Sequence, residues 1–143
     1  NKRQGNESYP KNPKSKKPPK TIDAELDAEN LNKVKELDLL MDSEQIYMDS
    51  NLGLSQLAEK IDVSANHLSM LLNDYVGKNF YDYVNHYRVE EVKKRLVDPN
   101  YQKQTISSIG GDCGFNSKSA FNRIFKNMTG KTPSQYQKSP FNK

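Results

Sequence analysis

The chain has a single cysteine, Cys113, in 143 residues. One thiol excludes an intrachain disulfide and a cysteine-based zinc cluster. The two histidines, His67 and His86, have no ligand partners at a metal-binding spacing. No apolar run approaches the roughly 20 residues a membrane helix needs, and no signal peptide is visible. No Ser–His–Asp arrangement, phosphate-cradling glycine loop or paired-carboxylate site stands out. An enzyme is therefore the weakest reading, and neither cofactor nor metal is expected. The chain opens on Asn1 and not on Met, so a fragment or processed product is expected.

Charge is plentiful but uneven. Residues 1–20 carry a net +6, residues 21–50 a net −7 and residues 51–143 a net +5. Only the last stretch joins positive charge to regular apolar spacing, the combination expected of a folded nucleic-acid binder. The length allows one compact domain plus a tail.

Most informative is a repeat within residues 64–130 and the short run before each copy. Leu54 and Leu57 match Ile106 and Ile109 at an offset of 52. After one inserted residue, Ser64, Leu68, Leu71, Leu72, Gly77, Lys78 and Tyr83 match Ser117, Phe121, Ile124, Phe125, Gly130, Lys131 and Tyr136 at 53. Shared apolar positions, turn glycines and trailing lysines predict an all-α fold. Two helix-turn-helix units, over about 52–77 and 105–130, are joined by a long linker helix.

In chain order, residues 1–22 are basic, proline-rich and nearly free of apolar side chains, so they cannot offset ordering entropy. They read as a linker, as a basic arm on phosphate, or as a juxtamembrane segment held by its charge. Residues 23–50 are acidic. There Leu26, Leu31, Val34, Leu37, Leu40 and Met41 predict a helix over 28–42 that packs one face on the domain. The double helix-turn-helix domain covers 51–140, leaving a tail at 141–143. A helix is predicted over 52–61 with Ser55 capping it and Leu54, Leu57, Ala58 and Ile61 inward. Asp62 suits a left-handed turn, Ser64 caps a helix over 64–76, and Gly77 stops it.

Phe80, Tyr83, Val84, Tyr87, Val89, Val92 and Leu96 make 80–97 the longest periodic run, closed by Asp98-Pro99-Asn100. About eighteen residues give roughly 27 Å of helix. With its turns that approaches the ~34 Å of one duplex turn, so two units could enter successive major grooves. Helices over 105–113 and 117–128 repeat the first unit, with Phe121, Ile124, Phe125 and Met128 inward. Thr132 and Pro133 open a last short helix to Gln137. Adjacent Gly110 and Gly111 should each cost up to about 1 kcal/mol inside a helix, which predicts a softer second unit.

A reading helix offers the face it does not bury. In the second unit that face holds Lys118, Ser119, Asn122 and Arg123, suited to base edges through paired hydrogen bonds. In the first it holds Asn66, Ser69 and Met70, with no basic residue. Ser64, Lys78, Ser117, Lys126 and Lys131 are candidate phosphate contacts that set register and carry no sequence information. Any one of these taken alone is more often just a solvated side chain, and the aromatics fall on inward positions.

Together, Leu57-Ala58, Ser64 with Leu68, the linker run GKNFYDYVNHYRVEEVKKRL and DCGFNSKSAFNRIFK followed by TGKTPSQY resemble the DNA-binding domain of AraC-type transcription factors. The resemblance covers roughly the final 85 residues and implies seven helices. It also implies double-stranded DNA as partner and places base reading on the residues just named. Met70 stands where many members carry Arg. The family usually adds a sensor or dimerisation domain, which is expected to lie upstream of this stretch. RNA polymerase becomes a further partner to expect. The location implied is cytoplasmic, including the cytoplasmic part of a membrane-anchored sensor regulator. The rival reading is a protein-interaction module using the acidic first helix.

Overall fold

Helix starts and stops in this chain are written locally. In the computed structural model, which describes residues 21–139, seven α-helices and no strand are formed among the described residues. They are α1 (Thr21–Glu44), α2 (Leu54–Lys60), α3 (Ala65–Leu71), α4 (Phe80–Leu96), α5 (Ile106–Asp112), α6 (Lys118–Thr129) and α7 (Pro133–Lys138). The tail expected at 141–143 and all but the last two residues of the basic segment at 1–22 lie outside the described residues.

The caps follow the chemistry expected of them. Ser64 Oγ accepts from the His67 amide, Ser117 Oγ from Ala120 and Thr105 Oγ1 from Ser108, each satisfying an otherwise orphan donor. Thr132 and Gln135 form a reciprocal capping box that spans Pro133. Gly77 and Gly130 close their helices at φ +81° and +85°, where a side chain would be strained. Asp62 takes the left-handed turn between α2 and α3 at φ +63°. The extra residue of the second copy falls in the turn after Gly114, which moves the repeat offset from 52 to 53.

Several expectations are corrected. α1 starts well before residue 28, because apolar periodicity marks burial and its first turns are largely exposed. Its buried stripe is Asn30, Leu37 and Met41, with Val34 half-buried, whereas Leu26 and Leu31 are 52% and 47% exposed. Ser55 lies inside α2, which begins one residue earlier, and caps nothing. The helix expected over 64–76 is α-helical only to Leu71 and widens into a π turn over Leu72–Val76. Met128, expected inward, is 39% exposed in the last turn of α6.

The fold divides into two compact units. The first comprises residues 21–39 with Leu54–Phe80, and buries Leu37, Leu57, Ala58, Ile61, Leu68, Leu71 and Leu72. In it α2 packs on α3. The second comprises Leu40–Gly53 with residues 81–139. Its core joins Val89, Val92 and Leu96 of α4 to Ile109, Cys113, Phe115, Phe121 and Phe125.

Candidate nucleic-acid interface

In the second unit, α6 is clamped by aromatic packing on one side only. The Phe121 ring sits 5.1 Å from Phe115 and 6.1 Å from Phe125, and Phe125 lies 5.6 Å from Tyr136 of α7. Rings at these spacings and tilts make favourable edge contacts as well as burying area. Gly110 is what lets α5 approach this cluster. A Cβ there would sit 2.5 Å from Cδ2 and Cε2 of Phe121. Gly110 is thus a packing requirement of the second unit. Gly111 meets nothing within 4 Å, and nothing in the structure explains it.

The opposite face of α6 presents Lys118, Ser119, Asn122, Arg123 and Lys126, all exposed. Residues 119, 122, 123 and 126 follow the three- and four-residue spacing of one helical face. Ion pairs among the described residues include Lys33–Glu36, Lys93–Glu90 and Arg95–Glu91, and none involves the cations of α6. Lys118, Arg123 and Lys126 are therefore not neutralised by a neighbouring carboxylate among those residues. Ser117, at the amino end, accepts the Ala120 amide in the helix cap, and its own O–H remains a donor.

Lys131 is partly committed elsewhere. Its Nζ donates to the Ser139 carbonyl at 2.9 Å, just past the end of α7.

In the first unit, Asn66 is exposed while Ser69 and Met70 are half-exposed on α3. No base-contacting candidate here is charged. Ser64 caps the helix, and Lys78, half-buried, follows the Gly77 stop. His67, next to Asn66, turns the other way: its Nε2 lies 3.0 Å from Asn30 Oδ1 on α1.

One residue the sequence reasoning passed over organises the second unit. Arg88 of α4 donates from Nε to the Tyr47 carbonyl at 2.6 Å and from Nη2 to the Asp49 carbonyl at 2.9 Å. Burial pushes its pKa down from the ordinary arginine value. Tyr47 also stacks on Tyr87 at 5.7 Å, and Asn116 Nδ2 reaches the Ser50 carbonyl at 3.4 Å. Gly114 completes the joint: at φ +113°, a Cβ on it would strike the Tyr47 carbonyl and the Arg88 guanidinium. The turn ahead of α6 is thereby fixed by residues 47–50. The available signal was weak, a glycine at the turn and an arginine on a half-buried helix.

Comparison with known proteins agrees with this geometry. A family described as a helix-turn-helix domain matches residues 57–139. An uncharacterised HTH-type transcriptional regulator of Staphylococcus aureus strain COL is 34% identical over 93 residues, 65% of this chain. The chain spans about 12% of the length of that relative.

Among solved structures, the C-terminal domain of the two-component response regulator yesN from Fusobacterium nucleatum is similar at a TM-score of 0.64 and 30% identity. That match covers 74% of this chain and 98% of that one. A transcriptional regulator from Chromobacterium violaceum, described as containing an AraC-type DNA-binding domain, shares the fold at a TM-score of 0.64. It is 24% identical, with 79% and 98% of the two chains covered. With two capped helix-turn-helix units and a matched span of more than half its length, the chain belongs to the AraC-type helix-turn-helix family of DNA-binding domains.

Proposed function

We propose that the chain is the sequence-specific output domain of a longer transcription regulator, reading two successive major grooves of double-stranded DNA. The observation that carries this is the exposed stripe of α6, whose cations have no carboxylate partner among the described residues. Arg123 suits guanine and Asn122 adenine through paired hydrogen bonds, with Lys118 and Ser119 at the amino end of the helix. Asn66, Ser69 and Met70 form a weaker reader that depends on one amide, thymine methyl contact and duplex shape. Ser64, Lys78, Ser117, Lys126 and Lys131 hold phosphates and set register.

The linker helix α4 is seventeen residues, or about 26 Å, long. The names of the relatives support regulation as the context. A sensor or dimerisation part upstream and RNA polymerase alongside are the partners this reading calls for.

The test is a binding titration on a selected duplex and single-base variants of it. Arg123→Ala should cost about 1–3 kcal/mol and relax preference at one position, while Lys126→Ala weakens all sequences alike. Met70→Ala should cost less than Arg123→Ala. If Arg123→Ala binds all duplexes as the parent does, α6 is not the base reader.

A further inference from the structure

We propose that Asn30 of α1 is a positioning residue of the first reading helix, holding α3 through His67 so that α1 sets how Asn66, Ser69 and Met70 are presented. The proposal rests on the reading of α3 as a base-contacting helix. Asn30 is the one buried polar side chain among the described residues, at 4% exposure. Buried amides persist where their hydrogen bonds are made, and here both ends are used. Asn30 Nδ2 donates to the Tyr75 hydroxyl at 3.2 Å, and Asn30 Oδ1 faces His67 Nε2 at 3.0 Å. The Tyr75 hydroxyl in turn donates to the Asp27 carboxylate.

The direction of this chain of bonds is forced. The tyrosine proton points to Asp27, so the tyrosine oxygen is left to accept from Asn30. That orients the amide, places its oxygen toward α3 and requires the proton on His67 Nε2. Burial, and then the bond to Asp27, push the Tyr75 pKa up, which keeps this proton in place.

Two further features tie α1 to the same unit. Lys33 Nζ donates to the Ile61 carbonyl at 2.7 Å, just past the end of α2 and beside the left-handed Asp62. The π turn over Leu72–Val76 carries Tyr75, so the network holds α3 near its start through His67 and just beyond its end through Tyr75. Asp27, Asn30 and Lys33 all precede residue 57, where the family match begins. His67 is the neighbour of Asn66 and lies one helical turn from Met70, so a shift of its ring displaces the reading face itself.

The experiment uses two readouts on this chain, amide hydrogen exchange without DNA and titration of a selected duplex against versions scrambled under one unit or the other. Asn30→Ala should speed exchange of the α3 amides about tenfold relative to α6. It should also bring the preference for the intact over the first-unit-scrambled duplex down about tenfold, leaving second-unit preference unchanged. Tenfold is about 1.4 kcal/mol, within the range of a buried hydrogen bond lost.

Faster exchange with both preferences intact would make the network merely structural and overturn the proposal. Equal losses at both units, or unchanged exchange, would overturn it too. A parent chain blind to the first-unit scramble would refute base reading by α3 instead, and the exchange result alone would then decide whether Asn30 positions the helix. Tyr75→Phe keeps the ring and the Asn30–His67 bond, and should give about a threefold effect in the same direction. It carries the test if Asn30→Ala does not fold.

Discussion

Two adjacent glycines of α5 give opposite expectations when each is replaced by alanine. At Gly110 the new Cβ would lie 2.5 Å from the Phe121 ring, where ordinary contact begins at 3.4 Å. The ring must therefore retreat by about 0.9 Å, the difference of those two distances. It has nowhere to go: Phe121 is 1% exposed and boxed by Phe115 and Phe125. Overpacking of this kind costs about 1–3 kcal/mol, and the better helix propensity of alanine offsets up to about 1 of it. Because the ring has no room to retreat, the upper end of that range applies, and the net expectation is a loss of about 2 kcal/mol.

At Gly111 nothing lies within 4 Å, so the propensity term acts alone and stability rises by about 0.5–1 kcal/mol. Urea unfolding followed by far-UV circular dichroism separates the two. In a melt, each kcal/mol moves the midpoint by about 4 °C for a fold of roughly 120 residues at about 2.1 cal/mol/K each. Adding Phe121→Leu should recover part of the Gly110→Ala loss, and the coupling between the two changes measures the clash. A Gly110→Ala chain as stable as the parent would refute the contact argument, and with it the account of how α5 meets α6.

Three other outcomes are expected. Cys113 is fully buried, and burial pushes its thiol pKa from 9.0 up to about 12. Because the folded value is raised, its contribution is complete below about pH 9. Each pH unit between about 9 and about 12 removes about 1.4 kcal/mol of stability. Cys113→Ala should flatten this alkaline loss in unfolding titrations; an identical slope in both chains would contradict it. Arg88→Met keeps the side-chain stem but removes both donors to the Tyr47 and Asp49 carbonyls, and should destabilise by about 1.5–3 kcal/mol. A change under 0.5 kcal/mol on the order of surface substitutions would mean the joint at residues 47–50 is held by stacking alone. In DNA titrations over a salt series, contacts by Lys78, Lys126 and Lys131 predict a log–log slope of about −2.7. Lys126→Ala should flatten it by about 0.9. An unchanged slope removes Lys126 from the phosphate set.

Features that depend on a few consecutive residues were legible from the chain. Gly77 and Gly130 end helices because only a residue without a Cβ enters the left-handed region freely. Ser64, Ser117 and Thr132 begin them because a short side-chain oxygen reaches an amide three residues on. The repeat offset of 52 and then 53 already encoded a turn longer by one residue, now placed after Gly114. The candidate reading face of α6 followed from periodicity once Phe121 and Phe125 were known to point inward.

What tertiary structure decided concerns partners distant in sequence. Apolar spacing on α1 favoured Leu31, yet the position turned inward is Asn30, because Tyr75 and His67, more than 35 residues away, supply its hydrogen bonds. Likewise, Gly110 read as a weak point until the Phe121 ring stood against it, and nothing local marked Arg88 until two carbonyls met its guanidinium. A sequence states which local conformations are cheap. Only the packed chain states which side chain faces which, and that pairing separates a costly glycine from a required one and a solvated asparagine from a buried anchor.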